Sequence, residues 1–299
     1  MAGRRRFMWR RSRSRVKDAD GAARGAIDPR EATMADVLFE KRERVAWITL
    51  NRPERRNAIS VAMLEELTAA LLESERDREV RVVALTGAGS GFCSGLDLKD
   101  AAAGKGIGGD ALGGEGSGVS HVGTRELPTV VLHQLDTPVL CALNGAAAGY
   151  GLDLALGCDI RLMSDAAKLV PGFARRGVLP ESGGTWYLPR LVDWARACEI
   201  GFLGDDLDPA RSLELGLVNA VVPADRLLDE TSRWAAKIAS NAPLAVKAMK
   251  RLYRHGLGED FESHSHHVLM QLLALFRSND FREGVTAFVE RRDPRFEGR

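Results

Sequence analysis

Two glycine-rich turns, each placed between a buried apolar run and a helical pattern, constrain this chain more than any other feature. The first turn is GFCSGLDLKD, residues 91–100, and the second lies in LNGAAAGYGLDLALGCDI, residues 143–160. Short apolar runs bounded by glycine are typical of buried strands, and periodic segments after them are typical of helices. The recurring strand–turn–helix unit predicts an α/β fold, with strands concentrated in the first half and helices in the last.

The segments around these turns complete the pattern. VLFEKR and RVAWITLN, separated by Glu43, predict a tight β-hairpin, and Ser60 predicts the N-cap of a helix with one apolar face. A glycine stretch at 101–120 predicts a mobile loop, because it offers little apolar surface to bury. We expect further strands at 80–86, 138–143 and 159–164, and helices near Leu98 and at 126–135, 149–156, 194–203, 226–240, 243–254 and 261–277.

Size and composition favour a single large core. The chain has 299 residues, of which 45% are hydrophobic, and contains no apolar run long enough to span a membrane. Its four cysteines show no paired or metal-binding spacing, which predicts small buried side chains in a reducing compartment and hence a cytoplasmic protein. These cysteines are Cys93, Cys141, Cys158 and Cys198.

Positive charge is concentrated in the first 33 residues, which hold ten Lys or Arg against four Asp or Glu. The rest of the chain holds 32 basic and 37 acidic residues, so we expect no nucleic-acid surface on the folded part. Three interpretations of this leader stay open: a start assigned too early, with Met34 as the initiator, a disordered basic arm, or a transit peptide.

Several familiar sites are not supported by the motifs. In TGAGSGF, Phe92 stands where a dinucleotide fingerprint needs its third glycine. Cys93 has no histidine placed beside it by sequence, and Ser94 lacks the GxSxG context of a hydrolase. His264, His266 and His267 lack the HExxH pattern and spread around a helix, so no metal site is expected.

The two glycine turns have a more specific chemical use. Small residues let a ligand approach the backbone, and a helix start leaves N–H groups unpaired. Two such groups aimed at one point form an oxyanion hole. Packing alone is the alternative explanation for the glycines of either turn taken singly.

Six ordered segments resemble the enoyl-CoA hydratase/isomerase (crotonase) family, from about Val37 to the C-terminus. The resemblance implies a stack of ββα units with two near-perpendicular sheets, a core at 34–200 and a helical trimerisation region at 201–299. It also implies an acyl-CoA thioester as partner, no cofactor beyond that coenzyme A, and a homotrimer or hexamer. The segments are the two turns, NRPERRNAIS at 51–60, GVLPESGGTWYLPRLV at 177–192, SLELGLVNAVVP at 212–223 and DFREGVTAFVERRDPRFEGR at 280–299.

The same resemblance assigns the binding residues. The oxyanion donors are the main-chain N–H groups of Leu96 and Tyr150, although the family usually has glycine at the second position. Arg55 or Arg56 would contact the phosphates of coenzyme A, and Ala58 its pantetheine; a solvated surface turn is the alternative for the arginines. The adenine would meet backbone groups of the first turn, at Ser94, Asp97, Leu98 and Lys99.

The carboxylates decide which reaction is expected. The resemblance places the first glutamate of the family's hydratases at Asp153 and the second at Phe173, which cannot titrate. Glu181 stands where the family's double-bond isomerases carry a catalytic acid, so Glu181 is predicted as the proton shuttle, with Asp153 assisting. Phe173 and Trp186 are expected to line the acyl pocket. A salt bridge or cap for Glu181 and a helix-dipole role for Asp153 stay open as alternatives.

The favoured function is therefore double-bond isomerisation of an enoyl-CoA, and hydration of a 2-enoyl-CoA is the alternative. A hydrolase of the same fold, a non-catalytic CoA-binding subunit and RNA binding through the leader are weaker hypotheses. The glycine stretch is expected to cover the acyl pocket.

Overall fold

The computed structural model describes residues 35–97 and 127–299. Asp36–Arg299 form one compact unit. The predicted helix near Leu98, the glycine stretch at 101–120 and the basic leader lie outside the described residues.

The strands are β1 (Val37–Arg42), β2 (Val45–Leu50), β3 (Val82–Gly87), β4 (Val139–Leu143), β5 (Ala147–Ala148), β6 (Ile160–Ser164), β7 (Leu169–Val170) and β8 (Ala220–Val222). The helices are α1 (Val61–Arg76), α2 (Pro128–Gln134), α3 (Tyr150–Leu156), α4 (Gly184–Leu191), α5 (Trp194–Leu203), α6 (Pro209–Glu214), α7 (Leu227–Ala239), α8 (Pro243–Gly256), α9 (Phe261–Leu275) and α10 (Asn279–Glu290).

In the described part of the chain, the strands form two sheets. The larger has the order β1-β2-β3-β4-β6-β8, in which β1 and β2 pair antiparallel and the other neighbours pair parallel. β5 and β7 form a two-stranded parallel sheet. Because neighbouring parallel strands end at one edge of a sheet, the turns that follow β3 and β4 lie side by side. These are the two glycine turns.

The central strands β3, β4 and β6 are buried on both faces of the large sheet, as is usual for parallel strands. Ile48 packs with Leu67 of α1 on one face, and Trp47 packs with Ala235 of α7 on the other. The alternation of neighbouring residues along β2 thus places the sheet between two helical layers. The predicted fold class, α/β with a helical C-terminal region, is confirmed.

Local signals in the first half are also confirmed, with one correction. Ser60 caps α1, its Oγ accepting a hydrogen bond from the Met63 amide at 3.0 Å. The β-hairpin forms, but its loop has two residues, Glu43 and Arg44, instead of the single residue predicted. Glu43 takes the left-handed conformation, with φ of 53°, that such a tight loop requires.

Six of these elements were not predicted: β5, β7, β8, α4, α6 and α10. The three strands have only two or three residues, too few to show an alternating pattern. Cys93, Cys141 and Cys158 are buried free thiols, as expected, whereas Cys198 is half-buried. Among the described residues, no helix combines the length and apolar character that crossing a bilayer requires.

Candidate active site

The two glycine turns are joined by main-chain hydrogen bonds. The Cys93 amide donates to the Ala146 carbonyl at 3.2 Å, and the Ala148 amide donates to the Cys93 carbonyl at 2.9 Å. Cys93 and Ala147 thereby form a parallel bridge between the turns. The structure brings together two segments that the sequence separates by about fifty residues.

Gly95 allows these turns to approach each other closely. Its φ is 93°, and a Cβ placed there would lie 3.0 Å from the Ala148 carbonyl oxygen and 3.4 Å from the Tyr150 nitrogen. Any other residue would be strained by this φ and crowded by the second turn. The backbone before Leu96 therefore packs directly against the start of α3.

The two predicted oxyanion donors are both free of main-chain partners within residues 35–97 and 127–299. Leu96 bridges Ile59, but the hydrogen bonds of that bridge use the Asp97 amide and the Gly95 carbonyl. Tyr150 is the first residue of α3, where the helix provides no acceptor for its amide. Tyr150 is 5% exposed, and its side chain packs in the core.

Two asparagines, the buried Asn57 and the half-buried Asn144, fix the first turn. The Asn57 amide group donates to the carbonyls of Ala88 and Gly91, at 2.9 Å each, and the Asn144 amide group donates to the Gly91 carbonyl at 3.1 Å. Sequence reasoning missed both residues. The signal was present, since each asparagine lies in a turn motif, NRPERRN or LNG.

Asp153, one helical turn after Tyr150, is fully buried on α3. Its Oδ2 accepts a hydrogen bond from the Ser182 amide at 3.0 Å, while Oδ1 has no partner among the described residues. Burial raises the pKa of the Asp153 carboxyl to about 7. The backbone amides of Ser182 and Gly184 lower this pKa, but the effect of burial is larger. The negative charge of Glu181 raises the same pKa further.

Glu181 is exposed and adjoins this buried carboxyl. Ser182 separates the two acids, because its amide binds Asp153 and its hydroxyl donates to Glu181 Oε1 at 3.5 Å. The residue that links them was not predicted. Gly184 follows at the start of α4, where a Cβ would overlap Oδ1 of Asp153. Two neighbouring carboxyls in unlike environments can serve as an acid and a base.

The two residues predicted for the acyl pocket lie in different places. Phe173 is 7% exposed and belongs to the core that also holds Tyr150. The Trp186 ring lies 4.9 Å from His133 and has the Arg190 guanidinium 4.0 Å above it. Trp186 lines a cavity of about 640 Å³ between the core and α8, and neither Asp153 nor Glu181 is part of its lining.

The predicted coenzyme A residues that the structure describes form one cluster beside the first turn. Arg55 makes a two-pronged ion pair with Asp97, with Nε–Oδ2 and Nη2–Oδ1 distances of 3.1 and 2.9 Å. Ala58 is buried, and the Ser94 amide donates to the Arg56 carbonyl at 3.0 Å. The Arg56 side chain is exposed, whereas Leu98 and Lys99 lie outside the described residues.

The Cys93 thiol is ruled out as a nucleophile by its surroundings. It is fully buried, and burial raises its pKa to about 12, so the reactive thiolate is scarce at neutral pH. This agrees with the core role favoured from sequence.

Comparison with known proteins decides the family. Residues 40–299 match the enoyl-CoA hydratase/isomerase family model. The chain belongs to this family. Members of the enoyl-CoA hydratase/isomerase family are enzymes, and the resemblance noted from sequence is thereby confirmed.

Individual relatives of this chain carry different activities in their names. The chain is 35% identical to 1,2-epoxyphenylacetyl-CoA isomerase of Escherichia coli, over 89% of this chain and 100% of that protein. It is 34% identical to short-chain-enoyl-CoA hydratase of Clostridium acetobutylicum, over 86% of this chain and 95% of that protein. The crystal structure of an enoyl-CoA hydratase from Bacillus anthracis matches with a TM-score of 0.81 and 34% identity, covering 88% of this chain and 100% of that one.

Proposed function

We propose that this enzyme isomerises the double bond of an enoyl-CoA thioester by moving a proton between C2 and C4. The observation that carries the proposal is the pair of neighbouring carboxyls: buried Asp153, with its pKa raised to about 7, and exposed Glu181. Glu181 can carry a proton between two carbons of the substrate, and the buried carboxyl beside it holds its turn in place.

In this mechanism the thioester carbonyl accepts hydrogen bonds from the Leu96 and Tyr150 amides. Negative charge develops on that oxygen as the C2 proton leaves, and the two donors stabilise it. Glu181 removes the proton from C2, the electrons shift through a dienolate, and the proton returns at C4. Asp153 assists by holding the Ser182–Glu181 turn through its hydrogen bond to Ser182.

Phe173 favours isomerisation over hydration. The resemblance puts a second hydratase glutamate at this position, and a buried phenyl ring neither titrates nor activates water. Isomerisation adds no water, so a single shuttle acid is sufficient for it.

Hydration of a 2-enoyl-CoA is the second candidate. Asp153 and Glu181 could act on water as a pair, and the Clostridium relative named as a short-chain-enoyl-CoA hydratase supports this alternative. Water addition would need Glu181 as the base that activates water and the other carboxyl as the acid.

A turnover screen separates the candidates. Purified enzyme is given 3-enoyl-CoA, 2-enoyl-CoA and dienoyl-CoA thioesters, and products are separated from substrates by chromatography before their masses are measured. We expect products of unchanged mass from the 3-enoyl and dienoyl substrates at higher kcat/KM than any product heavier by one water. Dominant formation of 3-hydroxyacyl-CoA would favour the hydratase instead.

We further propose coenzyme A recognition by the cluster around Arg55, Arg56, Ala58 and Ser94, with no cofactor beyond the substrate's own coenzyme A.

The C-terminal region is proposed to form a homotrimer or hexamer. Its large exposed apolar side chains, such as Phe202, Met270 and Phe288, support an interface there. Light scattering coupled to size-exclusion chromatography gives the subunit number; a monomer would refute this assembly.

A further inference from the structure

Three histidines and one glutamate converge where helices α8 and α9 meet, outside the candidate active site. His255 lies near the end of α8, Glu259 in the connection that follows, and His264 and His267 on α9. The Nδ1 atoms of His267, His264 and His255 lie 3.0, 3.3 and 3.6 Å from the Glu259 carboxylate. All three imidazoles thus lie around the Glu259 carboxylate.

The spacing of this cluster suits a metal ion. The ligand atoms of His255, Glu259 and His267 all lie within 4.8 Å of one another. Around a tetrahedral zinc ion, with bonds of about 2.0–2.1 Å, ligand atoms sit roughly 3.4 Å apart, so small side-chain rotations would close the site. His264 can supply a fourth ligand, since positions three apart on a helix share one face.

The backbone around the cluster accommodates His264. Gly256 ends α8 beside the His264 ring, where a Cβ would lie 3.1 Å from the ring's Cε1. A side chain at Gly256 would be in tight contact with this imidazole, so the glycine leaves room for His264 at the end of α8.

The donor set also indicates which ion would bind. Imidazole nitrogens suit zinc, copper and nickel, whereas magnesium and calcium prefer sites made only of oxygen. Three imidazoles and one carboxylate supply four ligands of the types that zinc binds, enough to fill a tetrahedral site. A hydrogen-bonded cluster without metal is the competing explanation, and in it two or more of the imidazoles would share one carboxylate.

We propose that His255, Glu259 and His267, with His264 as the fourth ligand, bind one divalent transition-metal ion of the zinc type. The ion would cross-link the end of α8 to α9 and stabilise this helical hairpin. It would take no part in the acyl-CoA chemistry, because none of its ligands belongs to the candidate active site. From sequence alone only the α9 histidines were noticed, since His255 and Glu259 come from elements that precede α9.

Equilibrium dialysis of the full chain against Zn²⁺ tests the proposal. Tag-free protein is stripped with EDTA, dialysed at free zinc concentrations up to 10 µM, and its metal content measured by elemental analysis. The test variants are Glu259→Gln and His267→Gln. His266→Gln is the matched control, because His266 neighbours His267 on α9 but lies outside the cluster.

We expect one zinc per chain in the wild type and in His266→Gln, and at least tenfold weaker binding in both test variants. Zinc should also raise the Tm of the wild type and the control, but not that of the test variants. Circular dichroism of the metal-free proteins is the control that checks whether each variant is folded. The proposal is overturned if the wild type binds no zinc at 10 µM, or if the two test variants bind it as tightly as the control does.

Discussion

Oδ2 of Asp153 accepts a hydrogen bond from the Ser182 amide at 3.0 Å, although the two residues are 29 positions apart. This bond ties α3, which begins with the Tyr150 amide, to the turn that carries Glu181. The proposed oxyanion donor and the proposed shuttle acid are therefore held in one rigid arrangement.

Replacing Glu181 by Gln removes the proposed proton carrier while keeping the shape of the side chain. We expect kcat for 3-enoyl-CoA isomerisation to fall by about 10²–10⁴-fold, the usual contribution of a general acid–base group. KM should change much less. Glu65→Gln, at an exposed position on α1, is the control and should turn over like the wild type. Wild-type kcat in Glu181→Gln would remove Glu181 from the mechanism.

Asp153 should make the stability of the protein depend on pH. Its pKa rises on folding from 3.8 to about 7, so between these values the folded state binds more protons than the unfolded state. The free energy of unfolding therefore decreases as pH rises from about 4 to 7, by up to roughly 4 kcal/mol from this group.

Asp153→Asn should flatten that part of the pH profile, because the amide stays neutral at every pH. Urea denaturation at pH 5 and pH 8 measures the difference. The variant should lose less stability over this interval than the wild type does. Equal losses in the two proteins would contradict the raised pKa.

Gly95→Ala should separate the two glycine turns. The new Cβ would meet Ala148 and Tyr150 at 3.0–3.4 Å, at a φ of 93° that disfavours alanine. Displacing one oxyanion donor costs about 10²–10³-fold in kcat. Gly91→Ala is the control in the same turn, because its Cβ would meet only Arg56, at 4.0 Å. Similar kcat values for both variants would argue against the proposed role of these amides.

The two arginines after Pro53 should respond differently to substitution. Arg55 pairs with Asp97, which is 7% exposed and also pairs with Arg52, so Arg55→Ala removes one of two cations that balance a buried carboxylate and should lower the free energy of unfolding. Arg56 is exposed, and Arg56→Ala should mainly weaken coenzyme A binding. Calorimetric titration with coenzyme A and urea denaturation measure both effects. Unaltered coenzyme A affinity in Arg56→Ala would contradict its phosphate contact.

Sequence was sufficient for the parts of the fold that rest on local signals. Ser60 as a cap, strands β1 to β4 and β6, and the C-terminal helices α7, α8 and α9 follow from spacing along the chain. The short strands β5 and β7 could not be predicted, because they exist only through pairing between distant segments. The family, too, was accessible from ordered motifs.

The candidate site was predicted only in outline. Asp153 and Glu181 were identified by resemblance, but their unequal burial and the role of Ser182 depend on tertiary packing. Trp186 was expected to line the acyl pocket, but sequence alone did not indicate which cavity its ring faces. The ring lines a cavity beside α8 whose lining does not include the two acids. Contacts of this kind have no periodic signal in sequence.

Turnover of a 3-enoyl-CoA in D₂O, followed by NMR, tests the central claim most directly. The account predicts conversion to the 2-enoyl-CoA, with exchange at C2 and C4 in the wild type and loss of both exchanges in Glu181→Gln. Absence of exchange and isomerisation in the wild type, while crotonyl-CoA is hydrated to 3-hydroxybutyryl-CoA, would contradict it.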